Sequence, residues 1–194
     1  MAAKLEASAS WLCPFRSGSA RLRREEYDKL VELGMFEDER IELLDGVLVP
    51  KTPIGAPHSS AVQKLTEIFT LALVGRAVVF LPGCVRSARC FGAGARRVGR
   101  ALGREYHRAH PSSAYLIAEV AESSLEKDLT TKLRIYARAK VPEYWVADVV
   151  NRRVEVFTEP NRDRYLVHRT VDHGGSLHPT EFPDVVVRVE DVIK

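Results

Sequence analysis

Ala114–Ala121, AYLIAEVA, and Asp128–Tyr136, DLTTKLRIY, are the two stretches on which the fold turns. The first is a near-continuous apolar run of strand length, the pattern of a strand covered on both faces. One carboxylate, Glu119, interrupts it. The second places Asp128, Lys132 and Tyr136 at i, i+4 and i+8, so the three share one face of a helix. Leu129, Leu133 and Tyr136 offer that helix an anchor on a sheet. Ser123 and Glu126 have capping-box spacing at its start. The helix is expected to run to about Ala139, with Pro142 beyond it.

Working outward, EYWVADV (143–149), RRVEVFTE (152–159) and RYLVHRTV (164–171) read as successive strands. Their turns are expected at Asn151-Arg152 and Pro160-Asn161. Toward the N-terminus, AVVFL (77–81) is a short strand. HSSAVQKLTEIFTLALV (58–74) is a helix with an apolar stripe at Val62, Leu65, Ile68, Phe69 and Leu73, and Gly75 ends it. Asp45-Gly46 between two apolar runs signals a hairpin. LRREEYDKLVELG (22–34) is a short amphipathic helix stopped by Gly34. The succession predicts an α/β fold, a mixed β-sheet flanked by helices.

A chain of 194 residues, 45% hydrophobic and 28% charged, suits one globular domain, expected over residues 21–194 after a loose N-terminus of residues 1–20. No apolar run reaches the roughly 18 residues of a membrane span. The first residues lack a signal-peptide core. Three cysteines, Cys13, Cys84 and Cys90, are poor disulfide material. These features predict a cytoplasmic protein. A net charge of +3 does not by itself announce a nucleic-acid binder.

Residues 82–104, PGCVRSARCFGAGARRVGRALGR, differ from their surroundings. They hold Arg86, Arg89, Arg96, Arg97, Arg100 and Arg104 and no acidic residue. A basic loop and a DNA-backbone patch are both open readings. A phosphate cradle on Gly92, Gly94 and Gly99 has the wrong spacing. Zinc ligation by Cys84, Cys90, His107 and His110 lacks a C-x-x-C pair. The genetic code offers another hypothesis. Residues 92–97 can be written GGA GCC GGA GCC CGA CGT, and loss of the first base gives Glu-Pro-Glu-Pro-Asp-Val. The segment then reads as out of frame between two compensating shifts, which the gene's own codons would confirm or refute.

Glu119, Lys132, Glu42 and His58 are the residues with chemistry to offer. Glu119 is either a strand-end side chain in solvent or a metal ligand, because a carboxylate in an apolar run must be met by a cation or hydrogen bonds. Lys132 either forms a surface ion pair with Asp128 or aims its charge at an anionic intermediate. Glu42 alternates with apolar neighbours and can face solvent or a site. His58 is a helix cap or a substrate contact. Phosphodiester hydrolysis uses Mg²⁺, carboxylates to hold it and a lysine, so Glu119 and Lys132 would need a partner carboxylate from the preceding strand.

RIELLDGVLV, PHSSAV, AYLIAEVAESS and DLTTKLRIYARAKVPEYWVADVVNRRVEVF together resemble the bacterial Uma-type restriction endonucleases, a branch of the PD-(D/E)XK superfamily. The resemblance covers about residues 22–81 and 105–194, and Lys132–Asp148 is its most specific part. It implies a restriction-endonuclease-like fold and Mg²⁺-dependent cleavage of DNA, with a homodimer expected by analogy. By position Glu119 matches the second acidic residue and metal ligand. Lys132 matches a lysine moved from strand to helix, and Glu42 an accessory acid. His58, Arg96 and Arg97 would meet the substrate. The family's Pro-Asp before Glu119 is missing, and Arg96-Arg97 falls in its place. Losing a carboxylate about 4 Å from a metal forfeits roughly 4 kcal/mol at an effective dielectric of about 20. The resemblance therefore implies an endonuclease impaired as it stands; the alternatives are a non-catalytic nucleic-acid-binding protein and an interaction module.

Overall fold

The computed structural model describes residues 21–36, 41–51, 54–80, 96–99 and 114–194. The expected loose N-terminus, residues 82–95 and 100–104 of the arginine-rich segment, the three cysteines, His107 and His110 lie outside the described residues.

Helix α1 (Arg24–Glu32) leads into a hairpin of β1 (Ile41–Leu44) and β2 (Val47–Pro50). Asp45 and Gly46 both have positive φ, 48° and 81°. Two consecutive left-handed residues match the twist of the flanking strands, which is why an Asp-Gly pair closes this turn. Helix α2 (Ala56–Ala72) follows, then β3 (Val78–Phe80), β4 (Arg96–Gly99) and β5 (Leu116–Ala121). A helical stretch of α3 (Leu125–Lys127), a π-helical turn (Asp128–Lys132) and α4 (Leu133–Arg138) then leads to β6 (Glu143–Asp148). Long strands β7 (Arg153–Asn161) and β8 (Arg164–Asp172) form a second hairpin. A small pair, β9 (Ser176–Leu177) and β10 (Val187–Arg188), and helix α5 (Val189–Val192) end the described chain.

The main sheet has six strands in the order β3-β4-β5-β6-β7-β8. Only β5 and β6 run parallel, joined through the helical stretch as a crossover requires. The mixed sheet flanked by helices is the fold expected from the sequence. All six residues of β5 are buried, because both sheet faces are covered. Leu116, Ala118 and Val120 join Ala61, Leu65 and Phe69 of α2, its C-cap Leu73 and Trp145 in one core. Ile117 and Ala121 face the opposite way, toward Ile135, Tyr136, Tyr144 and Val146. Successive side chains alternate between faces, so Glu119 falls on the same face as Ile117 and Ala121.

Three local expectations need correction. Residues 82–104 are not irregular throughout, since Arg96–Gly99 pairs with both β3 and β5. The Ser123–Glu126 capping box does not form: Ser124 is the N-cap and its hydroxyl donates to Asp128 Oδ2 at 2.6 Å. The second turn lies at Arg162-Asp163, and Pro160 pairs with Tyr165 inside the hairpin. β6 stops pairing with β7 at Thr158, so a residue without N–H costs the ladder little beyond it. Helix α1 forms with none of its residues buried.

Candidate active site

Glu119 is the fourth of six residues of β5 and is 2% exposed, so it is not a strand-end side chain in solvent. Its Oε1 accepts a hydrogen bond of 2.6 Å from the Tyr136 hydroxyl. The ammonium of Lys132 stands 3.1 Å from the same oxygen and 2.7 Å from Asp128 Oδ1. Asp128 is fully buried and Lys132 is 5% exposed. The Asp128–Lys132 pair anticipated at the surface therefore exists, but inside the protein.

The π-helical turn builds this arrangement. It widens the helix between Asp128 and Lys132 and delivers both side chains to the sheet. The Tyr144 hydroxyl on β6 donates to the backbone oxygen of Asp128 at 3.0 Å, and Ser124 holds the Asp128 side chain. Such turns recur at functional sites. Glu42 enters from β1: it is 2% exposed and takes Lys127 Nζ at 2.5 Å.

The electrostatics follow from burial. Desolvation pushes the Glu119 carboxyl above its ordinary range, and the nearby Asp128 charge adds to this, while Lys132 opposes it. Burial alone would pull the Lys132 ammonium down, but Glu119, Asp128 and Glu42 outweigh it and raise its pKa. Three carboxylates act on this one buried cation. Lys132 is thus a fixed positive charge near neutral pH and not a base.

Glu119 and Lys132 stand 3.1 Å apart, and the Glu42 charge lies close enough to act on the Lys132 ammonium. His58 lies on the first turn of α2, half-buried, on the stripe that continues through Ala61 and Leu65 toward the opposite core. The backbones of Arg96 and Arg97 pair with Ala118 and Ile117, the two residues before Glu119. Asp128 and Tyr136 are the partners missed as site residues. The available signal was their shared face with Lys132, which reads equally well as an exposed stripe.

Among the described residues, no group of three or more His, Cys, Asp or Glu side chains is placed to hold a metal ion. Lys132 already stands between the two nearest carboxylates. The described residues therefore do not fit a Mg²⁺ site on their own. No described helix is long and apolar enough to cross a membrane.

No curated protein matches the chain. Among solved structures, a crystal structure described as a putative nuclease belonging to DUF820 from Anabaena variabilis is similar with a TM-score of 0.70 and 13% identity. The likeness covers 88% of this chain and 97% of that one, and at such identity it speaks for the fold. The family model Uma2, described as "Putative restriction endonuclease", matches residues 24–190. With that match spanning both core faces and the buried Glu119–Lys132–Asp128 cluster, the chain belongs to the Uma2 family.

Proposed function

We propose that this chain is a DNA-directed endonuclease of its family, impaired as it stands because the carboxylate that should face Glu119 from β4 is absent. The observation that carries the reading is the buried cluster in which Lys132 bridges Glu119 and Asp128 beside the central strands. A protonated lysine in a dry site is worth far more toward a developing phosphoryl charge than one in water. Glu119 is the acceptor beside it, and Tyr136 fixes that carboxylate. Glu42 holds Lys127 at the rim, where a second cation can meet a phosphate.

β4 contributes Arg96-Arg97-Val98-Gly99 to the sheet, with no acid among them. The family resemblance points to Mg²⁺, which supplies an acidified water and charge neutralisation to such enzymes. The described carboxylates are too few to hold it.

The test combines plasmid nicking in Mg²⁺ with DNA binding in chelator. The chain is expected to bind DNA in a salt-dependent way and to cut at or near the level of Glu119→Ala. Robust cleavage that Glu119→Ala abolishes would refute the impairment. No binding even at low salt would refute the nucleic-acid reading. Homodimerisation, expected for cutting two strands, is part of the same proposal, and a monomeric sedimentation profile at assay concentration would remove it.

A further inference from the structure

Beside the helical stretch that carries Lys132 lies a cavity of about 130 Å³, lined by Arg21, Asp45, Thr131, Arg134, Ile135 and Arg138. Three separate parts of the chain converge on it. Thr131, Arg134 and Arg138 share one stripe of the helical stretch by their spacing. Arg21 arrives from the segment before α1, pinned to the hairpin tip by Leu22 N–H to Gly46 O at 3.0 Å and by its own bond to Asp45 O at 2.8 Å. Asp45 belongs to the β1–β2 turn, and Asp163 of the β7–β8 turn pairs with the lining residues Arg134 and Arg138.

The charges do not balance. Among the described residues, three guanidinium groups share two carboxylates. Arg21 pairs with Asp45. Arg138 reaches Asp45 only at 3.5 Å and Asp163 at 3.9 Å, and Arg134 reaches Asp163 at 3.3 Å. A well-made charge-assisted bond is about 2.7–2.9 Å. Each guanidinium offers about five N–H donors, so Arg134 and Arg138 hold donors that these long contacts use poorly. A tetrahedral oxyanion would accept from them and from the Thr131 hydroxyl, and would offset the surplus charge.

We propose that this cavity is a phosphate-binding site, distinct from the Glu119 cluster, that takes a backbone phosphate of the nucleic acid. The assignment to backbone phosphate rests on the proposed function; the phosphate chemistry does not. The site sits on the same helical stretch as Lys132, whose side-chain-to-side-chain diameter is on the order of 10 Å. A strand held here is therefore held a short distance from Glu119, and the site serves register and not chemistry.

The experiment uses the full chain and Arg134→Gln/Arg138→Gln, with Arg188→Gln as a control on an exposed arginine elsewhere. DNA binding is followed by fluorescence anisotropy across salt. Each lost phosphate contact lowers the log–log salt slope by about 0.9 for duplex DNA. The double variant should lose about 1 to 2 units of slope and bind several-fold more weakly, and the control should match the parent. An unchanged slope overturns the backbone assignment. A parallel melt at constant ionic strength uses inorganic phosphate. Stabilisation of the parent but not of the double variant, with DNA binding unaffected or absent, assigns the site to free phosphate and separates it from the nucleic-acid reading. No phosphate response together with no slope change overturns the site. Should the double variant melt early without ligand, Arg21→Gln is read in its place, with a loss of about one slope unit expected.

Discussion

Replacing Lys132 with Met tests the electrostatic account of the site directly. Methionine keeps much of the length and removes the charge. At an effective dielectric of about 20, an ammonium at 3.1 Å and 2.7 Å from two carboxylates attracts them by roughly 5 and 6 kcal/mol before desolvation. Burying the ammonium offsets much of that. The net loss on breaking a buried pair from one side is about 3–5 kcal/mol, because the carboxylates stay buried without their cation. In a chain of this size 1 kcal/mol moves the melting midpoint by about 2–4 °C. Lys132→Met should therefore melt about 6–20 °C lower near pH 8.

The pH dependence carries the sharper test. Burial already raises the Glu119 carboxyl above its unfolded value of 4.5, and without Lys132 it rises further. For a carboxyl raised on folding, the unfolded chain ionises first. The penalty is absent below the unfolded pKa and grows as pH climbs toward the folded one. The gap between variant and parent should therefore close on acidification toward pH 5. Lys132→Met/Glu119→Gln should recover much of the loss near pH 8. In the parent, the raised Lys132 contributes stability in full below its unfolded pKa of 10.5 and loses it as pH climbs above that. Melts by circular dichroism between pH 5 and 8 suffice. A variant within about 2 °C of the parent at pH 8, or a gap that ignores pH, would refute the buried ion cluster.

Tyr136→Phe deletes the 2.6 Å bond to Glu119 and should cost about 2 kcal/mol, as bonds to charged groups do; an unchanged melt would place the hydroxyl in solvent. Phe69→Ala opens the core between α2 and the sheet and should cost about 3–5 kcal/mol by chemical denaturation. Gly46→Ala places a Cβ within 2.5 Å of Arg21 Cβ at a φ of +81°, so it should destabilise the hairpin and, if the arginine cavity binds phosphate, blunt the melting response to phosphate as well. Sequencing of the gene across codons 80–106 should yield Pro-Asp in a neighbouring frame if the arginine-rich segment is misread.

The fold was legible where local chemistry and tertiary need coincide. Asp45-Gly46 closes a turn that only left-handed residues close. The α2 stripe at Leu65, Phe69 and Leu73 is buried as its spacing predicts. Legibility failed where the cause is tertiary. The π-helical turn exists because Asp128 and Lys132 are both held toward the sheet, by Ser124, Tyr144 and Glu119. Only the Ser124 contact is local, and the Tyr144 and Glu119 contacts that draw the turn to the sheet come from other strands. β4 shows the same limit from the other side. Its arginines carry no strand pattern, yet its backbone pairs with Phe80 and Ile117 opposite Arg97. The VVF and LIAEVA runs present unpaired ladders that any extended segment can complete, because backbone hydrogen bonds do not read side chains. A sheet can thus accept a strand whose side chains carry no strand pattern. Fold likeness constrains the ladder around Glu119, and it says nothing of which side chain stands at 96 or 97.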